Sequence, residues 1–114
     1  MDVFQAIAEP TRRQILDLLR DTERAAGELV EVFPSLTQPA VSRHLRVLLN
    51  VGLVQVRSEA QRRIYSLRPE RLSEIELWLS RYRRFWAGRL DAFEKHLDEM
   101  HGPKTTKPRK PTSK

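Results

Sequence analysis

Gln38, Ser42, Arg43 and Arg46 place four polar side chains within nine residues of one another. A glutamine can pair through two hydrogen bonds with adenine, an arginine with guanine, and a serine with either base edge. A further arginine can hold a phosphate. Between them, Val41, Leu45 and Leu48 recur at helical spacing, so the polar set falls on the opposite face. Thr37 is a good N-cap, and Pro39 suits a first turn, whose amide hydrogens lack intrahelical partners anyway. The spacing therefore predicts a short helix, buried on one side, with base-edge and phosphate donors on the other. A DNA major groove accepts that shape and chemistry.

Pro39 and Ala40 could touch a thymine methyl, although helix initiation alone also accounts for Pro39. Thr37, His44, Arg46, Arg62 and Arg63 are the candidates for phosphate contact, and Arg57 is a weaker one. Arg62 could also enter a minor groove. His44 has a second reading as a residue at the edge of the core. For every exposed arginine, and for Gln38, Ser42 and Arg43 themselves, the plainer reading is a solvated surface.

Composition narrows the field. The chain has 114 residues, a formal charge of +6 and no cysteine. Disulfides, thiolate metal sites and cysteine nucleophiles are thereby excluded, and a cytoplasmic, nucleoid-associated protein is expected. Lys104, Lys107, Arg109, Lys110 and Lys114 contribute five of the positive charges, leaving the rest of the chain near neutral. Binding to an anionic partner must then come from local patches. No apolar run approaches the roughly 20 residues that span a bilayer, and Met1-Asp2-Val3-Phe4 does not open a secretory signal. There is no Gly-rich phosphate loop and no nucleophile with a base at recognisable spacing, so no enzyme is expected. Glu23, Glu28 and Glu31 read as solvated surface.

These residues need elements to hold them. Val3, Phe4, Ile7 and Ala8 make a short apolar helix, and Pro10 opens a second, with Ile15, Leu18 and Leu19 inward and Arg12, Arg13 and Asp17 wet. Ala25 to Val32 gives a third, with Ala26, Leu29 and either Val32 or Phe33 inside. Gly52 is a left-handed stop for the helix that begins near Thr37. Then the period changes. Leu53-Val54-Gln55-Val56-Arg57 and Arg63-Ile64-Tyr65-Ser66-Leu67 alternate, as the strands of a hairpin do. The connecting Ser58-Glu59-Ala60-Gln61-Arg62 lacks Gly and Asn, so a longer, mobile loop is expected. From Leu72 to Met100 apolar residues step by threes and fours, which predicts one helix of roughly 30 residues. Leu77, Trp78 and Phe85 widen its stripe. Leaving several such side chains in water is costly, at about 1.5–3 kcal/mol each, and a second copy of the chain is the simplest cover. Residues 1–101 are read as one domain and 102–114 as a basic, disordered tail.

Helix, helix, reading helix and hairpin, in that order, make a winged helix-turn-helix, mainly α with a small β-hairpin. The chain resembles the ArsR-type winged-helix repressors in Ala8-Glu9-Pro10-Thr11-Arg12-Arg13-Gln14-Ile15-Leu16, Gly27-Glu28-Leu29, Thr37-Gln38-Pro39-Ala40-Val41-Ser42-Arg43-His44-Leu45, Gly52-Leu53-Val54 and Ile64-Tyr65-Ser66-Leu67. The Tyr82-Arg83-Arg84-Phe85-Trp86 segment is similar to that of a metal-free branch. The resemblance implies a homodimer joined by its first and last helices, reading a palindromic operator in double-stranded DNA and occluding a promoter. Val3, Phe4, Ile7, Leu79, Tyr82, Trp86, Leu90, Phe93 and Leu97 are the expected interface, which leaves room for an unknown small-molecule effector between subunits. No metal or cofactor is expected. Ala25-Ala26-Gly27-Glu28-Leu29 carries no thiolate ligands. His96 and His101, near Asp91, Asp98 and Glu99, point about 140° apart on a helix. The glycine-rich wing tip of many relatives is replaced by Ala60-Gln61. Two other functions remain open: a winged-helix interaction module without specific DNA binding, and a metal-responsive repressor with non-standard ligands.

Overall fold

The computed structural model describes residues 1–100, and for residues 90–93 the backbone alone. It divides into two units, Met1–Trp78 and a second beginning at Leu79.

Helix α1 (Val3–Ile7) is short but well capped. Asp2 accepts the Gln5 N–H at 2.8 Å while Gln5 Oε1 accepts the Asp2 N–H at 3.0 Å. Helix α2 (Pro10–Asp21) starts at a proline in its first turn and buries Ile15, Leu16 and Leu19. Strand β1 (Arg24–Ala25) leads into α3 (Ala26–Val32), which buries Leu29. Of the two residues that could close this helix, the half-buried Phe33 turns inward, whereas Val32 stays exposed. Helix α4 (Gln38–Asn50) buries Val41, Leu45 and Leu48, the residues whose spacing predicted it. Val3, Ala6, Ile15, Leu19, Leu29, Val41, Leu45, Leu48, Leu53 and Val54 join in one core. The core thus draws on all four helices and on the segment that leaves α4.

That exit is a complete helix stop. Gly52 adopts φ +82°. Its N–H donates to the Leu49 carbonyl at 3.1 Å, and the Leu53 N–H donates to the Leu48 carbonyl at 3.0 Å. Those bonds satisfy carbonyls that the end of a helix leaves open. The flanking Leu48 and Leu53 are both fully buried, which fixes the direction in which the chain departs.

Strands β2 (Val54–Glu59) and β3 (Arg62–Leu67) then pair antiparallel, from Val54 opposite Leu67 to Glu59 opposite Arg62. The expected long loop is absent. Only Ala60 and Gln61 connect the strands, and Ala60 takes φ +59°. A left-handed alanine costs about 1–2 kcal/mol, which the paired hairpin and its anchorage outweigh. The anchorage is β1, missed in the sequence because two residues carry no period. It pairs with β3, Arg24 opposite Tyr65 and Ala25 opposite Ile64, giving a sheet of order β1-β3-β2. With the Arg68 N–H donating to the Leu53 carbonyl at 2.8 Å, the base of the hairpin is closed as well.

The expected 30-residue helix is interrupted. A 3-10 turn at Pro69–Leu72 runs into α5 (Ser73–Ser80); single turns follow at Arg83–Phe85 and Ala87–Arg89; α6 (Leu90–Met100) resumes the helix. The apolar period is helical throughout, but the stretch between is a poor helix former. Arg81, Arg83, Arg84 and Arg89 bring no acid to pair with, three aromatics lower the propensity, and Gly88 costs about 1 kcal/mol in a helix. In proteins, helical stability comes mostly from a packed apolar face, and here Phe85 is 64% exposed. Within that unit Tyr82 and Phe85 lie 6.4 Å apart, and Arg84 stacks over Phe85 at 4.5 Å.

Candidate nucleic-acid interface

Helix α4 carries the first part of the site. The Thr37 hydroxyl accepts the Ala40 N–H at 3.2 Å and so holds the first turn, while its own O–H remains a donor. Gln38, Ser42, Arg46 and Arg43 sweep an arc of about 140° around the helix, with Gln38 at the margin beside Leu45 and Arg43 farthest from the face buried by Val41, Leu45 and Leu48. All four are exposed, as is Pro39, while Ala40 is half-buried. Among the described residues none of these four side chains makes a hydrogen bond or ion pair, so their donors and acceptors are available together.

His44 sits off that arc and is only 20% exposed. Its Nδ1 lies 3.2 Å from Arg12 Nη1 and 4.0 Å from Glu9 Oε1. Arg12, expected to be wet, is half-buried instead. Glu9 N-caps α2, accepting the Arg12 backbone N–H at 3.1 Å. Desolvation pushes the Glu9 carboxyl up, but that N–H and the nearby positive charge outweigh it and leave the group below the ordinary glutamate range.

The hairpin carries the second part, and its arginines are differently placed. Arg57 reaches across to Glu23 with two hydrogen bonds, 2.6 and 2.9 Å, and to Glu59 at 3.2 Å. This bidentate contact holds the Glu23 carboxyl below its usual range and pushes the Arg57 guanidinium further up. Exposed pairs of this kind add little stability, but they occupy the guanidinium. Arg62 lies 3.7 Å from Glu28, whose other oxygen accepts the Ala25 N–H at 2.9 Å. Glu23 and Glu28 are therefore partners of the wing and not bare surface. Arg63, exposed, lies 6.0 Å from the Tyr65 ring centroid.

An apolar surface accompanies these donors. Phe4 of α1 meets Trp78 of α5 edge-on at 5.8 Å, both partly exposed, and Leu77 beside them is 70% exposed. Val3 must leave the expected interface set. Its exposure is 0%, so it serves the core of its own chain and offers nothing to a second one. Ile7, Leu79 and Leu97 are half-buried, and Tyr82 and Trp86 exposed. Leu90 and Phe93, together with His101 and the basic stretch 102–114, lie outside the residues whose side chains are described. Among the described residues no group of three or more His, Cys, Asp or Glu could hold a metal ion, and no helix is long and apolar enough to cross a membrane.

A helix with a free polar arc, followed by a strapped basic hairpin on a helical core, defines a winged helix-turn-helix DNA-binding protein. Residues 9–56 match the model of the arsR family of bacterial regulatory proteins. The HTH-type transcriptional regulator Rv2034 of Mycobacterium tuberculosis is 38% identical over 95 residues, covering 83% of this chain and 85% of that protein. The transcriptional repressor SdpR of Bacillus subtilis is 36% identical over 78 residues, 68% of this chain and 86% of its own. An ArsR-like transcriptional regulator from Rhodococcus sp. RHA1 superposes with a TM-score of 0.61 at 28% identity, over 86% of this chain and 92% of that one. The chain belongs to the arsR family and is a DNA-binding regulator of transcription, not an enzyme.

Proposed function

We propose that two copies of this chain join through α1 and the chain from α5 onward, and repress transcription by covering a promoter. In that arrangement the two α4 helices enter successive major grooves of an inverted repeat, with half-sites about one helical turn, ~34–36 Å, apart. Gln38, Ser42 and Arg43 address base edges, with Pro39 and Ala40 near thymine methyls. Arg46, Arg62 and Arg63 hold phosphates. The repressor acts in the cytoplasm, on the nucleoid.

The observation that carries this reading is the contrast among the arginines. Those of the α4 arc, Arg43 and Arg46, are exposed and unengaged, whereas Arg12, Arg13 and Arg57 are tied to the protein itself. The dimer is supported by the exposed aromatic pair Phe4–Trp78, which places α1 and α5 on one surface.

Binding of the purified protein to DNA from its own promoter, followed by anisotropy, tests both parts. Arg43→Ala should weaken the preferred site by about 1–3 kcal/mol and relax the preference at one base pair. Sedimentation should show two chains per complex. Equal affinity for all duplexes in wild type and variant would remove α4 as the reading element.

A further inference from the structure

Arg12 stands on α2, outside the polar arc of α4, yet its guanidinium is engaged on three nitrogens. Nε donates to the Ala6 carbonyl at 2.7 Å and Nη2 to the Gln5 carbonyl at 3.3 Å. Both acceptors belong to the end of α1, where carbonyls lack a full set of intrahelical partners. The third nitrogen, Nη1, lies 3.2 Å from His44 Nδ1, in the middle of α4. Arginine can only donate, so in this contact Nδ1 takes the acceptor role, which corresponds to the Nε2–H tautomer. Glu9 does not compete for that nitrogen, since 4.0 Å is beyond hydrogen-bond reach. The neighbouring Arg13 donates to the Ile7 carbonyl at 2.7 Å but makes no bond to α4 among the described residues. One side chain therefore ties the end of α1 to the reading helix. A lysine could not replace it: a single ammonium lacks the planar fork that reaches three separated acceptors.

We propose that Arg12 is a positioning residue for DNA reading, setting the placement of α4 against α1 through His44, which serves as an internal acceptor and not as a phosphate contact. This rests on the assignment of α4 as the reading helix. Because α1 is also part of the proposed dimer surface, the bridge would make the reading helix sensitive to what α1 touches.

The test uses the full chain and a duplex that the wild-type protein selects from a random-sequence pool. Affinities are measured between about 50 and 200 mM salt, a range over which phosphate contacts reveal themselves in the slope. Arg12→Lys should bind on the order of ten-fold more weakly, the loss of one charge-assisted hydrogen bond, with the salt slope unchanged. His44→Ala should match it, and the double variant should be no worse than either single one. His44→Gln, which keeps an acceptor, should recover most of the affinity. Nitrogen-15 shifts of the His44 ring at neutral pH give a readout independent of DNA: the wild type should show the Nε2–H tautomer, and Arg12→Lys, checked as folded by circular dichroism, should lose it. A salt slope lower by about one in either variant, additive effects, or a wild-type ring protonated on Nδ1 would overturn the assignment. Failure of the wild type to select any duplex would instead sink the reading of α4, and this role with it, while the tautomer would still report whether the bridge exists.

Discussion

Exchanging Gly52 for alanine examines how the reading helix gives way to the wing. At φ +82° the new Cβ crowds the backbone, a conformation that costs an L-residue about 1–2 kcal/mol. The same Cβ would lie 3.2 Å from Arg71 Cδ, the flexible part of an exposed side chain that can swing aside. Against this, alanine narrows the unfolded ensemble and returns about 0.4–1 kcal/mol. The net expectation is a loss of about 1 kcal/mol, or roughly 4–8 °C in Tm for a domain of this size. Ala60 allows the reverse experiment in the same molecule. Its φ is +59°, so Ala60→Gly relieves strain while loosening the unfolded chain, for an expected gain of about 0.5 kcal/mol. Thermal melts by circular dichroism, with urea midpoints to confirm an unchanged m-value, measure both. If Gly52→Ala melts within about 1 °C of wild type, or if Ala60→Gly is as damaging as Gly52→Ala, left-handed backbone is not what closes α4.

Two further outcomes follow from the caps and the carboxylates. Thr37→Ala should lose about 1 kcal/mol and raise hydrogen exchange at the Ala40 amide, whereas Thr37→Asp should stay within a few tenths; equal exchange in both variants would deny the hydroxyl its role. Glu9 and Glu23 both sit below their ordinary value of 4.5 when folded. The unfolded chain therefore takes up protons first as the pH drops, and stability should be full above about pH 4.5 and decline beneath it. Glu9→Gln keeps a capping oxygen but cannot titrate, so its melting temperature should fall less steeply over that range; an identical pH profile would show that Glu9 contributes nothing to the decline.

Period and capping carried most of the sequence reading. Val41, Leu45 and Leu48 fix the buried face of α4, Thr37 fixes its start and Gly52 its end, because each acts through contacts within a few residues. What escaped was set by distant partners. Arg12 and Glu9 look like ordinary surface charge until α1 and α4 converge on them; the one local hint is Glu9 standing before Pro10 and three residues ahead of the amide it caps. Glu23 and Glu28 likewise meet Arg57 and Arg62 only after the hairpin folds back. Strand β1 is too short to show alternation, and the turn at Ala60-Gln61 forms despite its residues because the flanking strands are already in register. The helical period from Leu72 to Met100 was real, but period says which side would be buried, not whether packing exists to hold the helix continuous. Val3 was misplaced for the same reason: an apolar residue on an end helix looks the same whether it faces its own core or another molecule.

In the proposed DNA complex, the carboxylates that clasp Arg57 and stand beside Arg62 would shape how firmly this protein clings to DNA at large. A phosphate would compete there with Glu23 for Arg57 and with Glu28 for Arg62, so each such contact would yield less net attraction than a free arginine would give. Affinity for arbitrary sequence, which is almost wholly a matter of neutralised phosphates, would be lowered accordingly. Under the proposed reading, occupancy would then shift toward sites whose bases satisfy α4.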